Sequence, residues 1–476
     1  MVDNTSVRAI HMTNGKVTLD DRAIQTLKAQ LRGDLLRPGD PAYDEARKVY
    51  NAMIDKRPAL IARCVNVADV IAAVNFGREQ GLEVAIRGGG HNLGGLALCN
   101  DGLIIDLSRM RGIRVDPAHN TVRVEGGCNW EDVDHAAHAF GLVVPSGFVS
   151  NTGVAGLTLG GGHGYLTRKY GLTIDNLLEA DVVLADGRFV TASAKDNADL
   201  FWALLGGGGN YGVVTSFLFQ AYPVSTVYGG LMLWTFDKTA EVMRWYCDLM
   251  TNASEDLYGW LGTLTVPPAL PFPESLHGQK ACGILWCYAG AMDQAKEVFK
   301  PIRSFGPPAM DGVGPIPFPA LNSMFNAAYP PSQLQWYVKG DIFDALNEEA
   351  IALHLKYSAQ LPTMMSTMHL YPINGAVHRV GEADTAWAYR KSLFSATYVG
   401  IDPDPANNER MRQWCTDYCL ALHPHSAGGA YVNFLMEDGQ DRVQASYRGN
   451  YARLAQIKAK YDPTNLFHVN QNIKPA

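Results

Sequence analysis

The chain lacks the features that mark nucleic-acid-binding, membrane-spanning and disulfide-bonded proteins. Of its 476 residues, 47 are acidic and 40 are basic, so the net charge is −7, and no cluster of lysine and arginine offers a surface for nucleic acid. No run of about 18 apolar residues is present, so we expect no membrane-spanning helix. The eight cysteines are scattered, which favours reduced thiols over a disulfide framework.

Patterns for a metal site and for secretion are also missing. Cys415 and Cys419 are one helical turn apart, and His135 and His138 lie three positions apart on a predicted helix, but neither pair has two obvious further ligands nearby. We therefore expect no metal. Residues 1–21 contain no apolar core and no cleavage pattern, so we expect a cytoplasmic protein.

Two common nucleotide-binding motifs are absent, although glycine is abundant. No GxxxxGK[ST] string occurs, and no convincing GxGxxG joins a predicted strand to a helix. Glycines cluster instead at 88–90, 160–162 and 206–209. Bare glycines let backbone N–H groups converge on an anion such as a dinucleotide pyrophosphate, but one such cluster alone is explained equally well by a structural turn.

Hydrophobic periodicity predicts short helices alternating with short strands in the first half of the chain. Helical spacing of apolar residues predicts helices over 20–31, 66–81 and 129–141. Runs bounded by turn residues predict strands over 82–87, 102–108, 112–117 and 121–127, and a hairpin over 177–193 with its turn at Asp186-Gly187. Residues 146–176 contain too many glycines to predict a stable helix or strand.

Four segments together resemble a known family. They are IRGGGHN (86–92), GVAGLTLGGGHGYLTRKYGLTIDN (153–176), DLFWALLGGGGNYGVVTSFLFQAYPV (199–224) and YDPTNLFHVNQNI (461–473). In content and order they are similar to the berberine-bridge-enzyme-like flavoproteins of the vanillyl-alcohol-oxidase class. The resemblance implies an α+β fold, with a two-subdomain PCMH-type FAD-binding domain and a substrate domain built on an antiparallel sheet flanked by helices.

A change of composition near residue 225 fits this organisation. Glycine becomes rarer there, while tryptophan, tyrosine, methionine and proline become common. We expect an N-terminal helical segment over 1–57, the FAD-binding domain over 58–225, the substrate-binding domain over 226–425, and a C-terminal berberine-bridge-like segment over 426–476 that returns to the FAD domain. The aromatic residues of the third segment suit a flat, apolar substrate, and they suit an ordinary hydrophobic core equally well.

The resemblance also implies a covalent bond between His91 and FAD. In the family, the histidine of the R-G/S-G-G-H string is bonded to the 8α-methyl group of the flavin, and His91 occupies that place. Many relatives form a second bond from a cysteine, but Val149 stands at the corresponding position and cannot form a thioether. We therefore expect attachment through His91 only, as in the branch resembling the 6-hydroxynicotine oxidases and bacterial natural-product oxidases. A histidine that merely forms a hydrogen bond in a loop is the alternative.

The same alignment of motifs assigns further contacts with FAD. The implied contact residues, besides His91 and Val149, are Arg87, Gly88, Gly89, Gly90, Asn92, Ser146, Gly147, Ser150, Thr152, Gly153, Gly156, Gly160, Gly161, Gly164, Val213, Asn470 and Asn472. Val213 is expected near the adenine end, and Asn470 and Asn472 over the flavin ring.

Two segments of the second half supply candidate catalytic residues. The resemblance matches 368–380 and 429–435 to strands that carry active-site groups. The period of two along a strand places His369 and Tyr371 on one side and Met368 and Leu370 on the other.

The second of these segments contains the candidate base. The same alternation gives Tyr431 and Asn433 a common face, and in sugar-oxidising relatives a tyrosine at the place of Tyr431 acts as base. Because an ordinary tyrosine, with a pKa of about 10, is a poor base at neutral pH, we consider Lys339 as a cation that lowers it. Packing of each tyrosine in the core is the alternative.

Together these features predict an FAD-dependent oxidase. It would transfer a hydride from a small alcohol, amine or natural-product C–H to the flavin and reduce O2 to H2O2. The small side chain of Thr152, at a position near the oxygen approach in the family, is compatible with this activity. The alternatives are a dehydrogenase with another electron acceptor, a sugar oxidase, and a flavin-binding protein without turnover.

Overall fold

The computed structural model describes residues 7–11 and 15–476, and its first part is a small mixed sheet with helices. The elements are β1 (Arg8–His11), β2 (Gly15–Thr18), α1 (Asp21–Gln30), β3 (Asp34–Leu36), α2 (Tyr43–Ala46), β4 (Leu60–Arg63), α3 (Val67–Glu79), β5 (Val84–Arg87) and β6 (Leu103–Asp106). The sheet order is β3-β4-β6-β5, with β6 parallel to both β4 and β5. The helices predicted over 20–31 and 66–81 form as α1 and α3.

The segment over 1–57, which we expected to be helical, also contains strands. β1 pairs with β2 in a hairpin, and β3 pairs antiparallel with β4. Leu35 at the centre of β3 is buried while its neighbours are half-buried, so burial on a sheet face explains why this short segment is extended. The sheet of the expected FAD domain therefore begins before residue 58, and our division of the chain stays a proposal.

The second part forms a five-stranded antiparallel sheet. Its elements are β7 (Ile113–Asp116), β8 (Thr121–Glu125), α4 (Trp130–His138), α5 (Val154–Leu159), α6 (Thr167–Tyr170), β9 (Leu177–Val183), β10 (Phe189–Ser193), α7 (Ala198–Leu204) and β11 (Val213–Gln220). The strand order is β10-β9-β11-β8-β7. The predicted hairpin is present, since β9 and β10 pair antiparallel around Gly187, which has a φ of +84°.

Helix α5 lies in the glycine-rich stretch where we predicted no regular structure. Its apolar residues Val154, Ala155 and Leu159 are buried in the core below the five-stranded sheet. Burial of these side chains outweighs the weak helix propensity of the surrounding glycines. The prediction over 146–176 was therefore wrong at this element and at the short helix α6.

The third part is an eight-stranded antiparallel sheet, as the resemblance implied. Its elements are β12 (Thr226–Thr235), α8 (Thr239–Asn252), β13 (Leu257–Thr265), β14 (Lys280–Tyr288), α9 (Ala295–Ser304), β15 (Met310–Asp311), β16 (Gly314–Pro317), α10 (Phe318–Asn322), β17 (Gln335–Phe343), α11 (Glu348–Ser358), β18 (Thr367–Pro372), β19 (Phe394–Asp402) and α12 (Asn408–Leu422). The order is β15-β12-β14-β13-β18-β19-β17, with β16 also on β12. Side chains of α8, α9, α11 and α12 share one hydrophobic core with one face of this sheet.

The chain then returns to its first half. The last helices are α13 (Gln440–Tyr447) and α14 (Tyr451–Tyr461), and short 3₁₀ turns lie at Thr173–Asn176, Phe236–Lys238, Glu274–Leu276, Gly375–Arg379, Pro405–Asn407, His423–His425, Val432–Phe434 and Arg448–Asn450. The buried ammonium of Lys458 donates to the carbonyl of Asn210 at 2.6 Å and pairs with Asp462. The C-terminal helix is thus fastened to the glycine loop at 206–210. Over residues 7–11 and 15–476, no helix combines the length and apolar character needed to cross a membrane.

Candidate active site

A cavity of about 980 Å³ lies between the four-stranded sheet, the five-stranded sheet and the face of the eight-stranded sheet that is opposite helices α8, α9, α11 and α12. One half is lined by the glycine segments 88–90, 153–156 and 208–209 and by tail residues 467–471. The other half is lined by alternate residues of β13, β18 and β19. The three sheets therefore meet around one space large enough for a cofactor and a substrate together.

The loop after β5 directs His91 into this cavity. Arg87 at the end of β5 donates from Nε to Asp106 Oδ1 at 3.1 Å, and both side chains are buried. The loop then crosses a second loop so closely that a Cβ on Gly89 would lie 2.5 Å from the Cα of Gly153. Gly90 follows with a φ of +65°, which disfavours other residues. Paired charges and close backbone packing therefore fix the position of His91.

The imidazole of His91 is held by two neighbours that we did not identify from the sequence. Its ring stacks on Tyr50 with centroids 3.7 Å apart, and its Nε2 lies 3.1 Å from Asn151 Oδ1. Burial lowers the pKa of His91 from 6.5 to about 4. The ring is therefore neutral near pH 7, which leaves a nitrogen lone pair for a bond to an electrophilic carbon.

The glycines fall into two groups with different physical roles. Gly156 and Gly209 line the cavity, and no atom beyond the adjoining backbone lies within 4 Å of a Cβ built on either, so their missing side chains leave open space. A Cβ on Gly160 would instead lie 2.3 Å from the amide of Asn433, and one on Gly161 would lie 2.9 Å from Trp387. The second group allows Asn433 and Trp387 to pack closely on this loop.

Tyr431 and Asn433 stand together in the cavity wall. The segment 429–435, predicted as a strand, is instead a turn closed by a bond from the N–H of Phe434 to the carbonyl of Tyr431 at 2.8 Å. The Tyr431 hydroxyl accepts from the Gly162 N–H at 2.9 Å and from Asn433 Nδ2 at 2.7 Å. Burial raises the pKa of Tyr431, and these two donors partly oppose that change. Since both lone pairs are engaged, the hydroxyl proton points elsewhere.

His369 and Tyr371 form a second polar pair on β18, on the same face as predicted. His369 Nδ1 lies 2.7 Å from the hydroxyl of Tyr371, and both residues line the cavity, whereas Met368 and Leu370 belong to the core under the helices. Gly262 of β13 is opposite His369, and a Cβ there would lie 3.1 Å from the ring. Burial lowers the pKa of His369 to about 3, so this ring is neutral as well.

His163 is a further residue of this wall that sequence reasoning missed. It is buried against Tyr371 and Tyr431, with ring centroids 5.3 and 4.7 Å away, and neither ring nitrogen has a hydrogen-bond partner among the described residues. Burial lowers its pKa to about 3. A signal was available, because the string GGGH occurs at 88–91 and again at 160–163.

The structure brings most of the predicted site residues to the cavity. Those that line it are Gly88, Gly89, Gly90, His91, Asn92, Gly147, Val149, Thr152, Gly153, Gly156, Asn470, His369, Tyr371, Tyr431 and Asn433. Arg87, Gly160 and Gly161 lie behind the lining, where they form the contacts described above.

Other predicted FAD contacts also lie outside the lining. Ser146 and Ser150 accept from the amides of Asn322 and Asn326 at 3.2 and 2.9 Å. A Cβ on Gly164 would lie 2.0 Å from the carbonyl oxygen of Ser146, so this glycine allows two loops to pack.

The remaining predicted residues, Val213, Asn472 and Lys339, are absent from the cavity lining. Val213 is a buried core residue of β11. The backbone carbonyl of Asn472 accepts from Gln440 at 3.0 Å, while its buried side-chain Oδ1 has no partner within the described residues. Lys339 pairs with Asp438 and does not line the cavity, so the structure offers no support for its expected effect on Tyr431. Across the described parts of the chain, no three histidine, cysteine or acidic side chains gather as a metal site would require.

Known proteins resemble this chain along most of its length. The profile of the FAD binding domain matches residues 58–193, and the berberine and berberine-like profile matches residues 430–474. An FAD-linked oxidoreductase of Dictyostelium discoideum is 33% identical over 448 residues, which are 94% of this chain and 95% of that protein. The chain belongs to the berberine-bridge-enzyme-like family of FAD-linked oxidoreductases.

Other relatives of the present chain include an oxidase. (R)-6-hydroxynicotine oxidase of Paenarthrobacter nicotinovorans is 27% identical over 457 residues, covering 94% of this chain and 97% of that one. The crystal structure of 6-hydroxy-D-nicotine oxidase from Arthrobacter nicotinovorans superposes with a TM-score of 0.83 at 24% identity, covering 94% and 98% of the two chains. The protein is an enzyme with the PCMH-type fold and uses FAD.

The residues of the cavity fit FAD. Gly156 and Gly209 leave open space along the wall, as a close approach of the cofactor to the backbone requires. Buried Asn470 Oδ1 and the Tyr447 hydroxyl have no partner within the described residues, and both side chains line the same half of the cavity as His91. Such unpaired polar atoms are costly unless a ligand satisfies them.

Proposed function

We propose that this oxidoreductase is an oxidase of small molecules that holds FAD covalently through His91 alone. Its substrate would be an alcohol, amine or other natural product, and its second substrate O2. The observation that carries the proposal is the continuous cavity, because His91 stands in one half of it and the neutral polar groups His369, Tyr371 and Tyr431 stand in the other.

The surroundings of His91 support the covalent bond. The neutral imidazole is held by Tyr50 and Asn151, so little reorientation precedes bond formation. His91 would form one C–N bond to the 8α-methyl carbon in place of one N–H and one C–H bond, and the two electrons and two protons released would convert O2 to H2O2. Val149 lines the cavity at the family's cysteine position and cannot add a second bond.

The chain's own part in substrate oxidation is to orient the substrate and to take its proton. Bound FAD supplies the hydride acceptor. The two N–H donors at Tyr431 stabilise its phenolate by charge-assisted hydrogen bonds, which supports Tyr431 as the proton acceptor. The neutral ring of His369 is the second candidate for the proton acceptor. Its contact with Tyr371 uses only Nδ1, which leaves Nε2 for the substrate.

The choice between oxidase and dehydrogenase is open to a direct test. Thr152 lines the cavity three residues after Val149, and its small side chain supports access of O2. Reoxidation of the reduced enzyme, followed by stopped flow, should be much faster than reoxidation of free flavin and should release one H2O2 per flavin. A rate no faster than free flavin, with rapid turnover by an artificial acceptor, would make the enzyme a dehydrogenase.

The thiols support a reducing site of action. All eight cysteines are free, and six of them are buried. We propose a cytoplasmic enzyme on this ground, since buried thiols that form no disulfide are the ordinary state there. Alkylation of freshly lysed cells under denaturing conditions should label all eight, and any disulfide found in the protein would contradict the assignment.

A further inference from the structure

The substrate half of the cavity has flat apolar walls. We define it as the part lined by the eight-stranded sheet and by segments 264–272, 324–329 and 364–365. Trp260 stacks on Phe325 with ring centroids 5.5 Å apart, and Tyr371 stacks on Phe148 at 4.6 Å. Aromatic surfaces of this kind favour a flat, apolar ligand.

Charged side chains are missing from these walls. In the parts of the chain that the structure describes, none of the residues lining the cavity is an aspartate, glutamate, lysine or arginine. Moving an ammonium or a carboxylate from water into such surroundings is costly unless an opposite charge compensates it. The lining therefore discriminates against charged substrates.

Two pairs of hydrogen-bonding groups lie together at the buried end of the substrate half. The pair His369–Tyr371 and the pair Tyr431–Asn433 have internal distances of 2.7 Å, and Thr397 lies opposite His369 on β19. Among the described residues, the other polar groups of this half are few, namely Thr265, Tyr329, Trp336 and Thr367, and the hydroxyl of Thr367 is already bonded to the carbonyl of Thr263. A sugar carries a hydroxyl on nearly every carbon, and these hydroxyls would outnumber the polar groups of a lining that is otherwise apolar or aromatic. A ligand with one hydroxyl at one end matches the distribution better.

The opposite end of the substrate half is a rim of exposed apolar side chains. Leu270, Met364 and Met324 line the cavity and are 93%, 48% and 39% exposed. Large apolar side chains exposed around a cleft mark a surface that a ligand covers. A short ligand at the buried end would leave all three in water.

We propose that the substrate is a neutral, flat, largely apolar alcohol, with its carbinol group at the polar end formed by His369, Tyr371 and Tyr431. Its far end would lie over the rim of Leu270, Met324 and Met364. This proposal rests on the proposed function. Oxidation breaks the O–H bond and one carbinol C–H bond and forms a C=O bond, and the two electrons and two protons reach O2 as H2O2. A hydroxyl at His369 also gives its Nε2 a hydrogen-bond partner.

The test uses a pair of probes that differ in one group. 4-Phenylbenzyl alcohol and 4-phenylbenzylamine are mixed anaerobically with the holoenzyme in a stopped flow, and dissociation constants are read from the dependence of the flavin-bleaching rate on probe concentration. For a probe that does not bleach the flavin, the dissociation constant is read from its competition with the other probe. We expect the alcohol to bind at least ~100-fold more tightly than the protonated amine at neutral pH, since the ammonium finds no counter-charge. The amine should gain affinity as rising pH neutralises it, while the affinity of the alcohol stays constant.

Each outcome bears on the proposal. Equal or tighter binding of the amine, bleaching of the flavin by cellobiose but not by the alcohol, or no spectral change with either biphenyl probe would overturn the substrate class. Failure of the proposed function is recognised separately, as protein without bound flavin or as reduced flavin that does not react with O2.

Variants of the rim test the length of the substrate. Changing Leu270→Ser and Met364→Ser together should weaken 4-phenylbenzyl alcohol ~10-fold and leave benzyl alcohol unchanged, because only the longer probe reaches the rim. Leu420→Ser is the matched control, since Leu420 is 66% exposed on α12 and does not line the cavity. Equal losses for both alcohols, or no loss for either, would refute the role of the rim.

Discussion

Tyr431→Phe is the substitution that separates a chemical role of this tyrosine from a structural one. The hydroxyl accepts from the Gly162 N–H and from Asn433 Nδ2. Asn433 retains a second acceptor, the carbonyl of Leu157 at 3.2 Å, but the Gly162 N–H loses the partner described for it. The variant therefore removes one phenol and leaves one buried donor unsatisfied.

The two roles predict effects of different size. One unsatisfied buried donor lowers the free energy of unfolding by ~1–3 kcal/mol. Loss of a positioned proton acceptor lowers kcat by ~10²–10⁴-fold. If Tyr431 only packs, kcat should fall less than ~10-fold while the stability loss is the same.

Three measurements distinguish these outcomes. Denaturant unfolding gives the stability, steady-state kinetics give kcat and KM, and the pH dependence of kcat/KM reports the ionisation. Burial raises the pKa of Tyr431, so its phenolate forms only at alkaline pH. If the phenolate accepts the proton, wild-type kcat/KM should rise in that range of pH. Tyr398→Phe is the control, since Tyr398 is equally buried, its hydroxyl has no partner within the described residues, and it does not line the cavity.

Tyr431 is not the proton acceptor if Tyr431→Phe keeps the alkaline rise of kcat/KM. The same conclusion follows if kcat drops no further in Tyr431→Phe than in Tyr398→Phe. Either result would move the role of proton acceptor to His369.

Three further substitutions test other parts of the account. Gly156→Val should fold normally but lose most of its bound FAD, measured as the flavin-to-protein ratio, because the new side chain enters open cavity space; full flavin occupancy would contradict this. His354 is fully buried, and this burial lowers its pKa from 6.5 to about 3. Below pH ~6.5 only the unfolded chain therefore binds a proton at this histidine, and the free energy of unfolding falls by ~1.4 kcal/mol per pH unit. His354→Gln should remove that part of the slope in denaturant melts between about pH 6 and 4, and an unchanged slope would refute it. Val149→Cys in a His91→Ala background should restore a covalent flavin, detected by intact mass, and a protein without it would show that Val149 is not placed as in the two-bond relatives.

The periodic spacing of apolar residues correctly predicted those helices and strands in which buried side chains recur at regular intervals along the sequence. Helix α3 and strands β5 to β8 follow the apolar periodicity, and the alternation along β18 correctly separated His369 and Tyr371 from Met368 and Leu370. These features depend on neighbours two to four residues away.

The features that were missed depend on distant contacts. Gly160 and Gly161 look like cofactor glycines locally, but they pack against Asn433 and Trp387, more than 200 positions along the chain. Segment 429–435 alternates like a strand, yet its turn is fixed by contacts with the loop at 160–162. No local pattern carries this information.

Acid precipitation followed by intact-mass measurement tests the central claim most directly. The wild-type pellet should be yellow and its mass should exceed that of the chain by one FAD less two hydrogens. His91→Ala should give a colourless pellet, whereas His163→Phe, the control at the second GGGH string, should stay yellow. Colour that remains in the wild-type supernatant, or that stays in the His91→Ala pellet, would contradict attachment through His91.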